Sequence, residues 1–138
     1  MRLFIDIAEN AGDGCVSIRE AAERQGISAK YLEQIVSQLA KSGLLRSARG
    51  AQGGYALAKP PEQYTAGEIL RAIEGDLSPV ACLSGANNPC ERSQSCQTLR
   101  FWTGLNQAIE TYVDSVSLRD LIKPTGGRRK ADTTYLLD

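Results

Sequence analysis

Arg49-Gly50-Ala51-Gln52-Gly53-Gly54 places three glycines in six residues, and no other feature of this chain constrains its fold as tightly. Such a run cannot be helical, because each interior glycine costs a helix about 1 kcal/mol relative to alanine. Two short apolar-bounded segments flank it, Leu44-Leu45-Arg46-Ser47-Ala48 and Tyr55-Ala56-Leu57-Ala58. The pattern predicts a hairpin whose tip needs positive φ or a close approach to a neighbour. Strands this short cannot stand as a sheet of their own, so the hairpin must be an appendage packed on helices.

The helices that would carry it are legible on both sides. Leu3, Ile7 and Ala11, with Phe4 and Ala8 beside them, predict a short helix over 3–11 that Gly12-Asp13-Gly14 ends. Ser17-Ile18-Arg19-Glu20 is a capping-box sequence opening a helix over 18–25, with Val16 placed to staple against Ala21 and Gly26 to break it. Ser28 caps a third helix through about 42, whose inner face is Leu32, Ile35, Val36 and Leu39, and Gly43 suits the left-handed position after it. Past Pro60-Pro61, Thr65-Ala66-Gly67-Glu68 reads as a second capping box, leading a helix that buries Ile69, Leu70 and Ile73. Residues 75–97 have no periodicity. A long helix follows over 98–115, and Ser117 with Asp120 caps a short last one that Pro124 stops.

The fold class is therefore mainly α with a small β-hairpin wing: a winged helix-turn-helix plus a long dimerisation helix. The expected division is a DNA-binding domain at 1–61, a connecting helix and cysteine-containing loop at 62–97, a dimerisation helix and short terminal helix at 98–122, and a flexible tail at 123–138.

Sixteen basic and sixteen acidic residues cancel, which by itself does not announce a nucleic-acid binder. The zero hides a gradient. Between Cys15 and Lys59, seven basic residues face only Glu20, Glu23 and Glu33; the chain then runs acidic to Asp120 and ends in a basic run, Arg128-Arg129-Lys130. A local excess of this kind can build a phosphate-facing surface. Helix, tight turn, helix and wing meet the demands of major-groove reading, with Ser28, Lys30, Tyr31 and Gln34 at the outward-facing start of the second helix. Serine and glutamine can bond base edges, and lysine can meet phosphate or guanine. The wing, Arg49, Gly50, Gly53, Gly54 and Tyr55, would carry its arginine into the minor groove. The bland alternatives are a solvated basic face and a non-DNA-binding helical adaptor.

Enzyme chemistry finds little to work with. The chain has no histidine, no glycine-rich phosphate loop and no C-x-x-C pair, so no catalytic residues are assigned. It also has no apolar run long enough to cross a membrane, and Arg2, Asp6 and Glu9 interrupt what would be a cleavable signal pattern.

Cys82, Cys90 and Cys96 stand at C-x7-C-x5-C spacing in the turn-rich loop, whereas Cys15 reads as a lone structural cysteine. Thiolates grouped in a loop can converge on iron or zinc, with Glu91 as a nearby oxygen donor. The spacing alone does not choose the metal, and a disulfide pair or metal-free thiols are the other readings.

Along the long helix, Leu99, Trp102, Asn106, Ile109, Val113 and Val116 alternate steps of three and four, and Leu105 and Tyr112 widen the stripe. One small helical domain cannot cover so wide a stripe, so a homodimer is expected, and two-fold symmetry then implies a palindromic site on double-stranded DNA. Asn106 on the seam reads either as a register device or as a solvated exception to the stripe.

Taken together, Gly26-Ile27-Ser28, Tyr31-Leu32-Glu33-Gln34, Gly43-Leu44, Arg49-Gly50-x-x-Gly53-Gly54-Tyr55-x-Leu57, Ala66-Gly67-Glu68-Ile69 and Ser117-Leu118-x-Asp120-Leu121 resemble the bacterial winged-helix regulators typified by IscR, NsrR and CymR, over roughly residues 1–122. The resemblance implies a dimeric cytoplasmic transcription regulator, a repressor, sensing iron–sulfur or redox status. It further implies an iron–sulfur cluster on Cys82, Cys90 and Cys96, a [2Fe-2S] cluster first, with [4Fe-4S], zinc or no metal as alternatives. A cluster-free regulator of cysteine and sulfur metabolism, with zinc-binding or thiol-switch cysteines and a regulatory protein partner, is the second implication. Two departures bear on the choice. Leu99 stands where IscR-like members carry a histidine, and the first cysteine gap is longer than theirs. The resemblance also implies a basic segment ahead of Met1, in which some relatives place an acidic cluster ligand; Asp6 is not its equivalent by position.

Overall fold

The computed structural model describes residues 1–122; the tail expected at 123–138, with its basic run, lies outside the described residues. In chain order the elements are α1 (Arg2–Asn10), α2 (Ile18–Gln25), α3 (Ala29–Lys41), β1 (Leu45–Ala48), β2 (Gly54–Leu57), α4 (Ala66–Glu74), α5 (Leu99–Ser115) and α6 (Leu118–Ile122). Single 3₁₀ turns occur at Pro61–Gln63 and Ala81–Leu83.

Local chemistry sets the helix starts. The first capping box is complete: Ser17 Oγ accepts from the Glu20 N–H at 3.2 Å, and the Glu20 carboxylate accepts from the Ser17 N–H at 3.4 Å. Gly26 closes α2 in the left-handed conformation at φ 66°, where a side chain would be strained, and this sets the sharp turn into α3. Ser28 Oγ then accepts from the Tyr31 N–H at 3.1 Å. The second box forms only by half. Thr65 Oγ1 accepts from the Glu68 N–H at 3.0 Å, but the Glu68 carboxylate turns to Lys59 Nζ at 2.7 and 2.8 Å, an ion pair outbidding a backbone amide.

β1 and β2 pair antiparallel, with Leu45 opposite Leu57 and Ala48 opposite Gly54. Val16, expected only as a helix staple, exchanges both backbone hydrogen bonds with Tyr55, at 2.9 and 2.8 Å, and so adds a one-residue third strand. That pairing explains Gly54: any Cβ there would run into the backbone of Val16 and Ser17.

One core gathers Leu3, Phe4 and Ile7 of α1, Leu32, Val36 and Leu39 of α3, Tyr64, Ile69 of α4 and Leu118 of α6. Leu118 reaches it because the chain after α5 pairs with the chain before α4: the Leu118 N–H donates to Tyr64 O at 3.0 Å and the Ala66 N–H to Val116 O at 2.8 Å. On the buried side of α4, Ala66, Gly67 and Ile69 are covered, while Leu70 and Ile73 are only half-buried, because α5 lies over the start of the helix. Arg71 fastens the two helices, reaching Asp114 at 2.8 and 3.0 Å and also bonding Glu110.

Candidate nucleic-acid interface and cysteine loop

The candidate reading surface begins with a rigid entry. Asp6 on α1 is 5% exposed and accepts from both Arg24 Nε and Nη2 at 2.8 Å and from Gln25 Nε2 at 3.3 Å. The Arg24 guanidinium holds the Asp6 carboxyl below its ordinary range, so α2 is clamped to α1 by an ionised, bidentate pair. With α2 fixed and Gly26 setting the turn, α3 presents its first turns outward.

Ser28, Lys30, Tyr31 and Gln34 are all exposed on that face. Ser28 uses an oxygen lone pair for its cap, which leaves its hydroxyl proton for an outside acceptor. On the wing, Arg49 and Gly50 are exposed, while Gly53, Gly54 and Tyr55 are half-buried. Their roles divide accordingly: Arg49 is available to a ligand, whereas Gly54 and Tyr55 seat the hairpin on Val16. An open cleft of ≈ 410 Å³ between wing and α2 is lined by Ser17, Ser47 and Arg49 among others. Ser47 was not singled out from the sequence; its place on the exposed side of a strand flanking the glycine run was the available signal.

The cysteine loop is less organised. Cys82 lies in the 3₁₀ turn and is half-buried, as is Cys90, whose N–H donates to Asn88 Oδ1 at 3.0 Å. Cys96 is exposed just before α5, with its sulfur 3.3 Å from Thr98 Oγ1, and this hydrogen bond holds the thiol below its ordinary pKa. No group of three or more Cys, His, Asp or Glu side chains among the described residues is placed to hold a metal ion. As arranged, then, the three thiols do not fit a shared metal or cluster. Glu91 is exposed, and Leu99, half-buried at the start of α5, brings no donor atom.

Not one residue of α5 is buried within the chain. Leu99, Trp102, Asn106, Ile109, Val113 and the following Val116 are half-buried, whereas Leu105 and Tyr112 are exposed, Tyr112 by 70%. The predicted stripe therefore splits in two. Phe101, absent from that stripe, is 63% exposed and joins Leu105 and Tyr112 on the open side. Asn106 Oδ1 is buried without a hydrogen-bond partner among the described residues.

Residues 1–124 match the Rrf2 family, described as an iron-dependent transcriptional regulator. The chain belongs to this family. It is 36% identical over 136 residues to the HTH-type transcriptional regulator CymR of Bacillus subtilis, covering 99% of this chain and 93% of that protein. It is 35% identical over 119 residues to the HTH-type transcriptional regulator IscR of Aliivibrio salmonicida, covering 86% of this chain and 70% of that one. The solved structure of CymR, the global cysteine regulator of B. subtilis, superposes with a TM-score of 0.70 at 36% identity over 87% of each chain. The protein is thus a DNA-binding transcription regulator of the Rrf2 family rather than an enzyme. Among its described residues no helix is long and apolar enough to cross a membrane.

Proposed function

We propose that the protein works in the cytoplasm as a homodimeric repressor that reads a palindromic promoter site and answers to the state of its loop thiols. The observation that carries this reading is the exposed face of Ser28, Lys30, Tyr31 and Gln34 beside the exposed Arg49 wing, both built on the one core to which α6 returns from the end of α5. Lysine and arginine supply phosphate and minor-groove contacts, and Ser28 and Gln34 supply base-edge bonds. Cys96 is the thiol most open to oxidation or alkylation, being exposed and held toward its thiolate by Thr98. It sits at the start of α5, so a change there acts on the helix that would pair the two protomers.

Thiol-based control in cysteine and sulfur metabolism, with a regulatory protein partner, is the reading the loop geometry favours. CymR of B. subtilis, named as a global cysteine regulator, supports it by likeness. Iron–sulfur sensing through Cys82, Cys90 and Cys96 is the second reading, supported by the family description and by the IscR relatives. Anaerobic purification with iron, sulfide and zinc analysis separates them. Metal-free protein whose promoter footprint is lost on oxidation and restored by thiol reductant supports the first reading. Stoichiometric iron with sulfide and absorbance in the visible range, abolished by Cys90→Ala, would establish the second instead.

A further inference from the structure

Tyr64 is the largest fully buried side chain among the described residues, and its three hydroxyl hydrogen bonds all land on the feet of the wing. Its Oη donates to the carbonyl of Leu44, the residue before β1, at 2.6 Å. The same oxygen accepts from the N–H groups of Ala58 and Lys59, just after β2, at 2.9 and 3.2 Å. Lys59 Nζ lies 4.7 Å from the ring centroid, and the Phe4 ring meets it edge-on at 5.6 Å between centroids. One hydroxyl thus ties together the two ends of the hairpin that displays Arg49.

The backbone of Tyr64 has a different partner. Its carbonyl accepts from the Leu118 N–H at 3.0 Å, and two residues on the Ala66 N–H donates to Val116 O at 2.8 Å. Both bonds hold the segment that leaves the C-terminal end of α5. A buried hydroxyl with both lone-pair and proton capacity in use leaves little freedom on either side.

We infer that Tyr64 is the positioning residue of the wing: its hydroxyl fixes the angle of the hairpin against the exit of α5, and so sets where Arg49 meets DNA relative to the dimer axis. The inference rests on the proposed reading of the wing as a DNA contact. It assigns Tyr64 no contact with DNA, only a geometric role acting through the wing.

The test is a double-mutant cycle on the full-length protein, binding a promoter fragment taken from its own genomic footprint at fixed salt. Tyr64→Phe keeps the ring and its packing on Phe4 but removes all three bonds. Arg49→Ala removes the wing's contact. Each single variant should weaken binding, Tyr64→Phe by roughly fivefold, the worth of about one net hydrogen bond. In the Arg49→Ala background, Tyr64→Phe should cost nothing further. Hydrogen exchange should show faster exchange at the Ala58 and Lys59 amides while α3 stays protected.

Equal losses from Tyr64→Phe in both backgrounds would overturn the inference, since a general loss of fold does not depend on Arg49. Full affinity in Tyr64→Phe alongside a weakened Arg49→Ala protein would overturn it too, leaving the wing reading intact. Full affinity in Arg49→Ala would overturn the wing reading itself and the inference with it. Should Tyr64→Phe fail to fold, Lys59→Pro, which deletes one of the amides along with the Glu68 ion pair, takes its place in the same cycle, with Lys59→Ala, which deletes the ion pair alone, as its reference.

Discussion

Asp6 shows how one buried charge can fix the helix that leads into the proposed reading surface without touching that surface. It lies on α1, 5% exposed, and both of its oxygens are engaged by Arg24, with Gln25 sharing one of them. An ionised carboxylate in that position is tolerable only because the guanidinium fork neutralises it. Its pKa lies below the unfolded value, so the pair stabilises the protein above pH about 4, and that contribution is lost as pH falls through the folded pKa. Asp6→Asn should therefore destabilise the protein by about 1–2 kcal/mol at neutral pH, after discounting for the solvent-facing part of Arg24. The gap between the variant and the parent should close at low pH, where Asp6 in the parent is itself protonated. Urea unfolding at a series of pH values measures both, and a gap that persists unchanged below pH 3 would contradict the ionised pair.

At the scale of elements, α4 is the piece that joins the winged helix-turn-helix to the long helix. Gln38 on α3 donates to the Ala72 carbonyl at 2.8 Å, Lys59 behind the wing holds Glu68, and Arg71 holds Asp114 and Glu110 on α5. The Arg71 fork holds the Asp114 carboxyl below its ordinary range. Gly67 lets this packing occur: a Cβ there would lie 2.7 Å from Arg71 Nη1 and 2.9 Å from Val113 Cγ2, and closer still to Asp114. The arginine and aspartate tips can swing away, but Val113 is held by its own helix. Gly67→Ala should push α5 outward and destabilise the fold by about 1–3 kcal/mol, read as a lower urea midpoint with faster exchange along α5. An unchanged midpoint would mean that the α4–α5 contact is looser than these distances require. The same element shows what a sequence can reveal. Ser17 with Glu20, and Ser28, were legible because a cap is a bond between residues three apart. Glu68 misled for the same reason: its spacing fits a box, yet its carboxylate takes Lys59, nine residues back. Val16 pairing with Tyr55, and Tyr64 with Leu118, left no local signature, since pairing across long separations is a property of the folded chain. The cysteine spacing was plain, but spacing says nothing of whether three thiols converge.

For the whole molecule the question is what covers α5. Seventeen residues of helix contribute nothing buried, and Phe101, Leu105 and Tyr112 lie open on one side at steps of four and seven. Aromatic side chains of this size dominate interfaces because each removes a large apolar area from water. The net charge of zero belongs to the same picture, since a basic stretch between Cys15 and Lys59 is joined to an acidic one that runs to Asp120. If α5 pairs two copies, each protomer's α3 binds one half-site, and the second half-site binds at the effective concentration set by the first. Tyr112→Asp tests this without touching the fold, because the side chain is 70% exposed in the single chain. The variant should keep its melting temperature at high dilution, where the parent too is monomeric, and should sediment as a monomer at concentrations where the parent is a dimer. Its affinity for a two-half-site fragment should fall by roughly a hundredfold, while its weaker affinity for a single half-site stays as it was. A variant that sediments as a dimer and binds the full site normally would move the partner surface elsewhere. Equal losses on full and single half-sites would show that α5 acts on each reading unit directly rather than by joining two of them.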